Sequence, residues 1–328
     1  MTPPAHDLGT MPAPGALSRS NGGAFALPSL RPSAVTLARW SRAATPMAFL
    51  APFIILVGVF TYWPLIDLVY LSFVRMNPFG PDAFVAMDNY AGVISNTQFR
   101  DAAVNSLIYI FGSIPLKVVL PLAVAVFIWT MSARLGNVYR SVLFVPTLLS
   151  FVVVAIIWIW MLNPVMGLLQ TVISPFGLRL PNLLSNRETA IHVIIFVSSW
   201  KVIGFNVLLY LAGLSAIGKD YIEAMRLDGA NDWTIFRKLI VPLLSPTIFF
   251  VAISTVVFTI QQVFTPIDIM TGGGPLNATT NIFYIVYQYL FESFNVGYSA
   301  AGTVLIFLFL GFLVAIKIAV LEKRVHYH

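Results

Sequence analysis

The residues able to do chemistry crowd into one stretch. EAMRLDGANDWTIFRKLIVPLLSP, residues 223–246, holds Glu223, Arg226, Asp228, Asp232, Arg237 and Lys238 between long apolar segments. These groups offer ion pairing and hydrogen bonding rather than bond making. Glu223 and Arg226 stand three apart, the spacing of a pair on one helix face. Elsewhere reagents are scarce. The chain has no cysteine, which excludes disulfides, thiolate metal sites and Cys nucleophiles. His6, His192, His326 and His328 form no HExxH or other ligand cluster. Gly213 to Lys219 matches the first seven positions of a Walker A loop, but Asp220 stands where a Ser or Thr would hold Mg²⁺, and an apolar helix precedes it instead of a strand. We read it as the end of a span. No span carries an HExxH, a GxSxG or a paired-acid motif, which argues against a membrane-embedded enzyme.

The surroundings of this stretch are set by composition. The 328 residues are 58% hydrophobic and 10% charged, with mean hydropathy +0.86; soluble domains are about 25% charged. Several runs exceed the roughly 18–20 apolar residues that cross a bilayer. They are continuously apolar, unlike the alternating strands of a membrane β-barrel. The pattern predicts an all-α polytopic membrane protein with six spans, near 47–73, 104–129, 141–162, 189–213, 243–264 and 299–321. Residues 1–45, rich in Pro, Ala, Ser and Gly, have no apolar stretch with a cleavage site and read as a disordered cytoplasmic extension. Most Lys and Arg fall on one side if both termini are cytoplasmic; Arg75, Arg100, Lys117, Arg179, Arg187 and Lys201 do not. The net charge of +6 therefore reads as basic cytoplasmic loops, with no nucleic-acid partner. The polar insert falls in the cytoplasm between spans four and five.

Its local grammar is that of two helices and a turn. Lys219–Leu227 can form a helix with Ile222 and Met225 on its apolar side. Gly229 supplies a positive φ to end it, and Asn231 can cap a second helix. Trp233, Phe236 and Ile240 make an apolar stripe, and Pro242 opens the fifth span. Physics alone leaves two occupants for such a knob, lipid headgroups or a cytoplasmic partner.

The spacing carries a resemblance. Glu223-Ala224-Met225, then Gly229, then Leu239-Ile240-Val241-Pro242 resembles the EAA loop of the membrane subunits of bacterial ABC importers: Glu-Ala-Ala, three residues, Gly, nine residues, Ile-x-Leu-Pro. Met, Leu and Val are apolar departures from it. Asp228-Gly229-Ala230, Trp200-Lys201, Leu211 to Leu214, Thr271 to Thr279, and Asp88-Asn89-Tyr90 followed by Asn105 resemble the carbohydrate-uptake branch, which includes maltose, multiple-sugar and glycerol-3-phosphate permeases. The resemblance implies a permease domain over 46–328 with the type I ABC importer fold, both termini cytoplasmic, in the bacterial inner membrane. It implies coupling through Glu223, Ala224, Asp228, Gly229, Ala230, Leu239 and Pro242 in a loop of about 219–242. The implied work is alternating-access import of a sugar, polyol or related solute. Alternatives are glycerol-3-phosphate or a glycerophosphodiester as cargo, or a stand-alone secondary transporter, which needs no docking knob. Implied partners are a second, homologous permease in a heterodimer, two ATPase subunits that use ATP and Mg²⁺, an extracytoplasmic solute-binding protein and membrane lipid. No cofactor, metal or catalytic residue is expected in this chain itself.

A solute path needs polar side chains in the spans. Trp200, Asn206 and Tyr210 in the fourth, and Thr259, Gln261 and Gln262 in the fifth, offer the amides and aromatic faces that hold sugars. The resemblance to the maltose permease implies that these two spans line the site. Helix–helix hydrogen bonding is the alternative use of such residues. Lys117 lies between Pro115 and Pro121, where it can line a helix break or a watery path. Lys201 can snorkel. Asn277-Ala278-Thr279 matches a glycosylation sequon but belongs to a Gly-rich external loop, either a plain connector or a surface against a partner.

Overall fold

The computed structural model describes residues 49–76 and 82–321, and the 1–45 extension lies outside the described residues. The chain divides into two compact units at Thr61 and Tyr62. In the first, the described residues, 49–61, are apolar helix. They are the start of α1 (Phe49–Leu71). The second unit holds everything else. A two-stranded hairpin, β1 (Val74–Arg75) with β2 (Ala83–Phe84), leads to α2 (Asp88–Ser95) and α3 (Thr97–Trp129). Then come α4 (Ala133–Leu148), α5 (Phe151–Met161), α6 (Leu168–Ile173) and α7 (Ala190–Ser215). The chain continues with α8 (Lys219–Leu227), α9 (Asp232–Met270), α10 (Ile282–Phe291) and α11 (Val296–Leu321).

Among the described residues, α1, α3, α7 and α9 are long and apolar enough to cross a membrane, and α4 with α5 makes a fifth crossing if the bent pair is one span. The stretch predicted as a sixth span lies in α11, whose described apolar part is Val296–Phe312. The third predicted span, 141–162, is not one helix. It breaks between α4 and α5 with a 99° bend. Pro146 weakens the end of α4, Leu149 is extended at φ −75°, and the Ser150 hydroxyl accepts the Val153 N–H to start α5 afresh.

Proline is handled differently in α1, α3 and α9. Each contains a π-turn, at Gly58–Tyr62, Pro115–Val119 and Phe236–Ile240. Each π-turn ends two residues before a proline: Pro64, Pro121 and Pro242. A proline withholds its N–H from the carbonyl four residues back, and its ring crowds that carbonyl. One extra residue in the preceding turn relieves the crowding. The Leu120 N–H then reaches the Pro115 carbonyl, and the Val241 N–H reaches that of Phe236, both five residues back. The helix passes its proline without stopping. This corrects the expectation of a separate second surface helix, because α9 runs unbroken from Asp232 through Pro242 into the span.

The core is built around α7. Val207, Tyr210, Leu211 and Leu214 pack with Ala125 and Ile128 of α3 and with Leu244 and Val251 of α9. Contact with α4 is close enough that a Cβ on Gly204 would run into the Leu143 carbonyl. Polar staples hold the rest. The Asn89 amide donates to the Ser72 and Val74 carbonyls, and the Tyr90 and Ser72 hydroxyls bond to each other. The Gly-rich loop is seated on α3: Asn105 donates to the Asn277 and Thr280 carbonyls and Tyr109 to that of Thr279. It is an ordered cap, closed internally by Thr271 and Thr279.

Candidate functional site

The polar insert folds as a knob with a closed turn. The last helical carbonyls of α8 are satisfied by two crossed bonds, Ala230 N–H to Met225 and Gly229 N–H to Arg226. This pairing requires a left-handed residue between them, and Gly229 has φ +79°. Nothing lies within 4 Å of where its side chain would be, so the backbone angle alone calls for glycine. Asn231 then caps α9 by accepting the Thr234 N–H.

The knob has two faces. Ile222, Met225, Ala230, Phe236 and Leu239 pack inward on the α7 core, with Ile235 and Ile240 buried. Tyr221, Glu223, Ala224, Asp228 and Pro242 face out. So do Leu227, 89% exposed at the tip, and Trp233, 65% exposed and stacked on Phe236. Of the apolar stripe expected from the sequence, Trp233 thus stays outside while Ile240 is buried. The predicted Glu223–Arg226 pair is replaced too: Arg226 bonds Asp232 across the turn at 3.4 Å. The turn brings Asp232 back over the end of α8, whereas Glu223 has neither hydrogen bond nor ion pair among the described residues.

A second cluster lies inside the spans. Lys117, 1% exposed, sits in the π-turn of α3. Its ammonium donates to Thr259 Oγ1 at 3.2 Å and Gln262 Oε1 at 2.9 Å, both on α9. Its carbonyl is the one orphaned by Pro121, and it accepts the Asn206 amide of α7 at 2.7 Å. One residue thereby ties three helices. The signal was present in the sequence, since Lys117 stands four residues before a proline. A cavity of about 620 Å³ opens beside this knot, lined by Phe151, Phe258, Gln261, Gln262, Phe264, Thr265 and Phe283.

Of the six polar residues singled out in the spans, Gln261 and Gln262 face this cavity. Thr259 and Asn206 are reached through Lys117. Tyr210 is buried one turn beyond Asn206, its hydroxyl without a hydrogen-bond partner among the described residues. Trp200 packs edge-on against Trp158, ring centroids 5.6 Å apart. The phenylalanines of the cavity carry no periodic signal that sets them apart from lipid-facing ones.

Residues 89–327 match the family described as "Binding-protein-dependent transport system inner membrane component". The chain belongs to this family. It is 34% identical over 286 residues, 86% of this chain and 96% of the relative, to the sn-glycerol-3-phosphate transport system permease protein UgpA of Rhizobium meliloti (strain 1021). It is 30% identical over 285 residues to the protein of that name from Yersinia enterocolitica. The fold is that of a bacterial ABC transporter involved in the import of the acidic polysaccharide alginate, with TM-score 0.79, 21% identity and coverage of 89% of this chain and 100% of that one. A second alginate transporter structure, in complex with a pentasaccharide-bound periplasmic protein, matches with TM-score 0.75 and 20% identity over 86% of this chain and 96% of that one. The chain is therefore an inner-membrane permease subunit of an ABC-type importer, a transport component and not an enzyme.

Proposed function

We propose that this permease carries a sugar, polyol or related polar solute by alternating access, as one half of a heterodimer with a second, homologous permease. Six spans with both termini cytoplasmic fit the excess of Lys and Arg on one side of the chain. The other parts of the importer are two ATPase subunits, which use ATP and Mg²⁺, and an extracytoplasmic solute-binding protein. Trp200, Asn206, Tyr210, Thr259, Gln261 and Gln262 are the residues proposed for the solute path.

The observation that carries the reading is the exposed face of the knob. It sets Glu223, without a partner among the described residues, and a bare Leu227 on a glycine-closed turn continuous with α9. A docking surface of this kind takes a groove in an ATPase subunit, and α9 passes its motion into the spans as a single rod. Glu223, Ala224, Asp228, Gly229, Ala230, Leu239 and Pro242 form or brace that face. A phosphorylated cargo, glycerol-3-phosphate or a glycerophosphodiester, is the second reading, favoured by the names of the relatives in the UgpA group.

The test is ATP hydrolysis by the reconstituted four-subunit importer with its loaded binding protein. Glu223→Ala combined with Leu227→Asp is expected to leave the permease pair assembled and to lower solute-stimulated hydrolysis about tenfold, the loss of roughly 1.4 kcal/mol of docking. Full stimulation in this variant would overturn the docking role.

A further inference from the structure

We infer that the cavity beside α9 is a subsite for the negatively charged group of an anionic solute, a phosphate ester or a carboxylate, with Lys201 and Lys117 as its counter-charges. The inference rests on the import reading above and narrows its cargo. Two cations stand one residue behind the lining of this cavity. Lys117 reaches Gln262, which lines it. Lys201, half-buried on α7, stands 4.5 Å from the ring centre of Phe151, which also lines it.

Neither ammonium has a carboxylate partner among the described residues. Lys201 donates to the Thr147 carbonyl at 3.2 Å. That bond uses one of its three protons, and Lys117 uses two of its own on neutral oxygens. The sequence supplies no acid to neutralise them: residues 102–187, 189–219 and 233–267 contain no Asp or Glu. The next acid along α9 is Asp268, exposed and beside the Tyr284 phenol. Charged side chains within spans are costly and persist where they meet a partner or a permeating charge. A neutral sugar needs neither lysine, since Gln261, Gln262 and the aromatic rings suffice for its hydroxyls and faces. An anion gains from both.

The absence of cysteine allows a charge-specific test. Lys201→Cys is made in this chain, and the complete importer is reconstituted in proteoliposomes with its binding protein. ATP-driven uptake of sn-glycerol 3-phosphate and of a uronate trisaccharide is measured beside glycerol and maltotriose. The wild-type importer should take up an acidic solute in preference to the neutral ones. Lys201→Cys should lower that uptake about tenfold, one lost charge contact. Aminoethyl methanethiosulfonate, which rebuilds an ammonium at the thiol, should restore it. The hydroxyethyl and sulfonatoethyl reagents should not, and wild type treated with each reagent controls for thiols on the other subunits. Lys117→Gln should lose uptake of the same acidic solute.

Wild-type uptake of neutral solutes alone would overturn the inference and leave the import reading standing. Rescue by the neutral hydroxyethyl reagent as complete as that by the cationic one would overturn it too, reducing Lys201 to a brace for the bend between α4 and α5. A wild-type importer that drives no solute at all would overturn both readings together.

Discussion

Replacing Asn206 by Leu is the sharpest probe of how the spans are held. The Asn206 amide donates at 2.7 Å to the Lys117 carbonyl, which Pro121 cannot serve because it has no N–H. Leu fills a similar volume but cannot donate, so the carbonyl is stranded in a buried helix contact. A stranded buried polar group costs about 1–3 kcal/mol, while interhelical hydrogen bonds within membranes average about 0.6 and reach about 1.7 kcal/mol. The expected loss is about 1–2 kcal/mol. Pro121→Ala returns an N–H to the same carbonyl. In that background Asn206→Leu should cost less than about 0.5 kcal/mol, a coupling of roughly 1 kcal/mol between the two sites. The assay is reversible unfolding of the purified permease in mixed micelles, over the four members of the cycle. Equal penalties in both backgrounds would refute the assignment of Asn206 to the orphaned carbonyl. Solute uptake by the same four proteins adds a second readout: a loss that ignores residue 121 would mark Asn206 as a solute contact.

Two further substitutions test the close contacts. Gly204→Ala places a methyl against the Leu143 carbonyl and must part α4 from α7, so it should destabilise the permease by about 1–3 kcal/mol, read as a lower melting temperature. Gly229→Ala meets no atom but forces an alanine to φ +79°, a strain of about 1–2 kcal/mol. Melting should fall by no more than this strain while solute-stimulated ATP hydrolysis falls severalfold, with Gly229→Asn in between because Asn tolerates the left-handed region. Normal stimulation in Gly229→Ala would show that the turn need not be closed.

The linear pattern determined a good deal. Apolar run lengths placed α1, α3, α7 and α9 to within several residues, apart from the earlier start of α3 at Thr97 and the ends of α9, which runs back through Pro242 to Asp232 and on to Met270. The bounds of α8, its glycine turn and the Asn231 cap were legible because each depends on a few neighbouring residues whose backbone preferences act locally. The spacing from Glu223 to Pro242 pointed to the family. Other features depended on which surfaces meet. Periodicity cannot show that Arg226 turns to Asp232, or that Trp233 swings outward while Phe236 stays in. Pro146 and Pro242 are the same residue type, yet the chain breaks three residues after one and runs straight through the other. Only the packing around each tells whether an extra residue can be taken into the preceding turn. The sequence left Lys117 between a helix break and a watery path and could not name its partners, because its two acceptors on α9 and its donor on α7 lie 89 to 145 residues away along the chain. Hydrogen bonds and charge act over a few ångströms, so the tertiary structure alone could decide that this lysine ties three helices together beside a cavity.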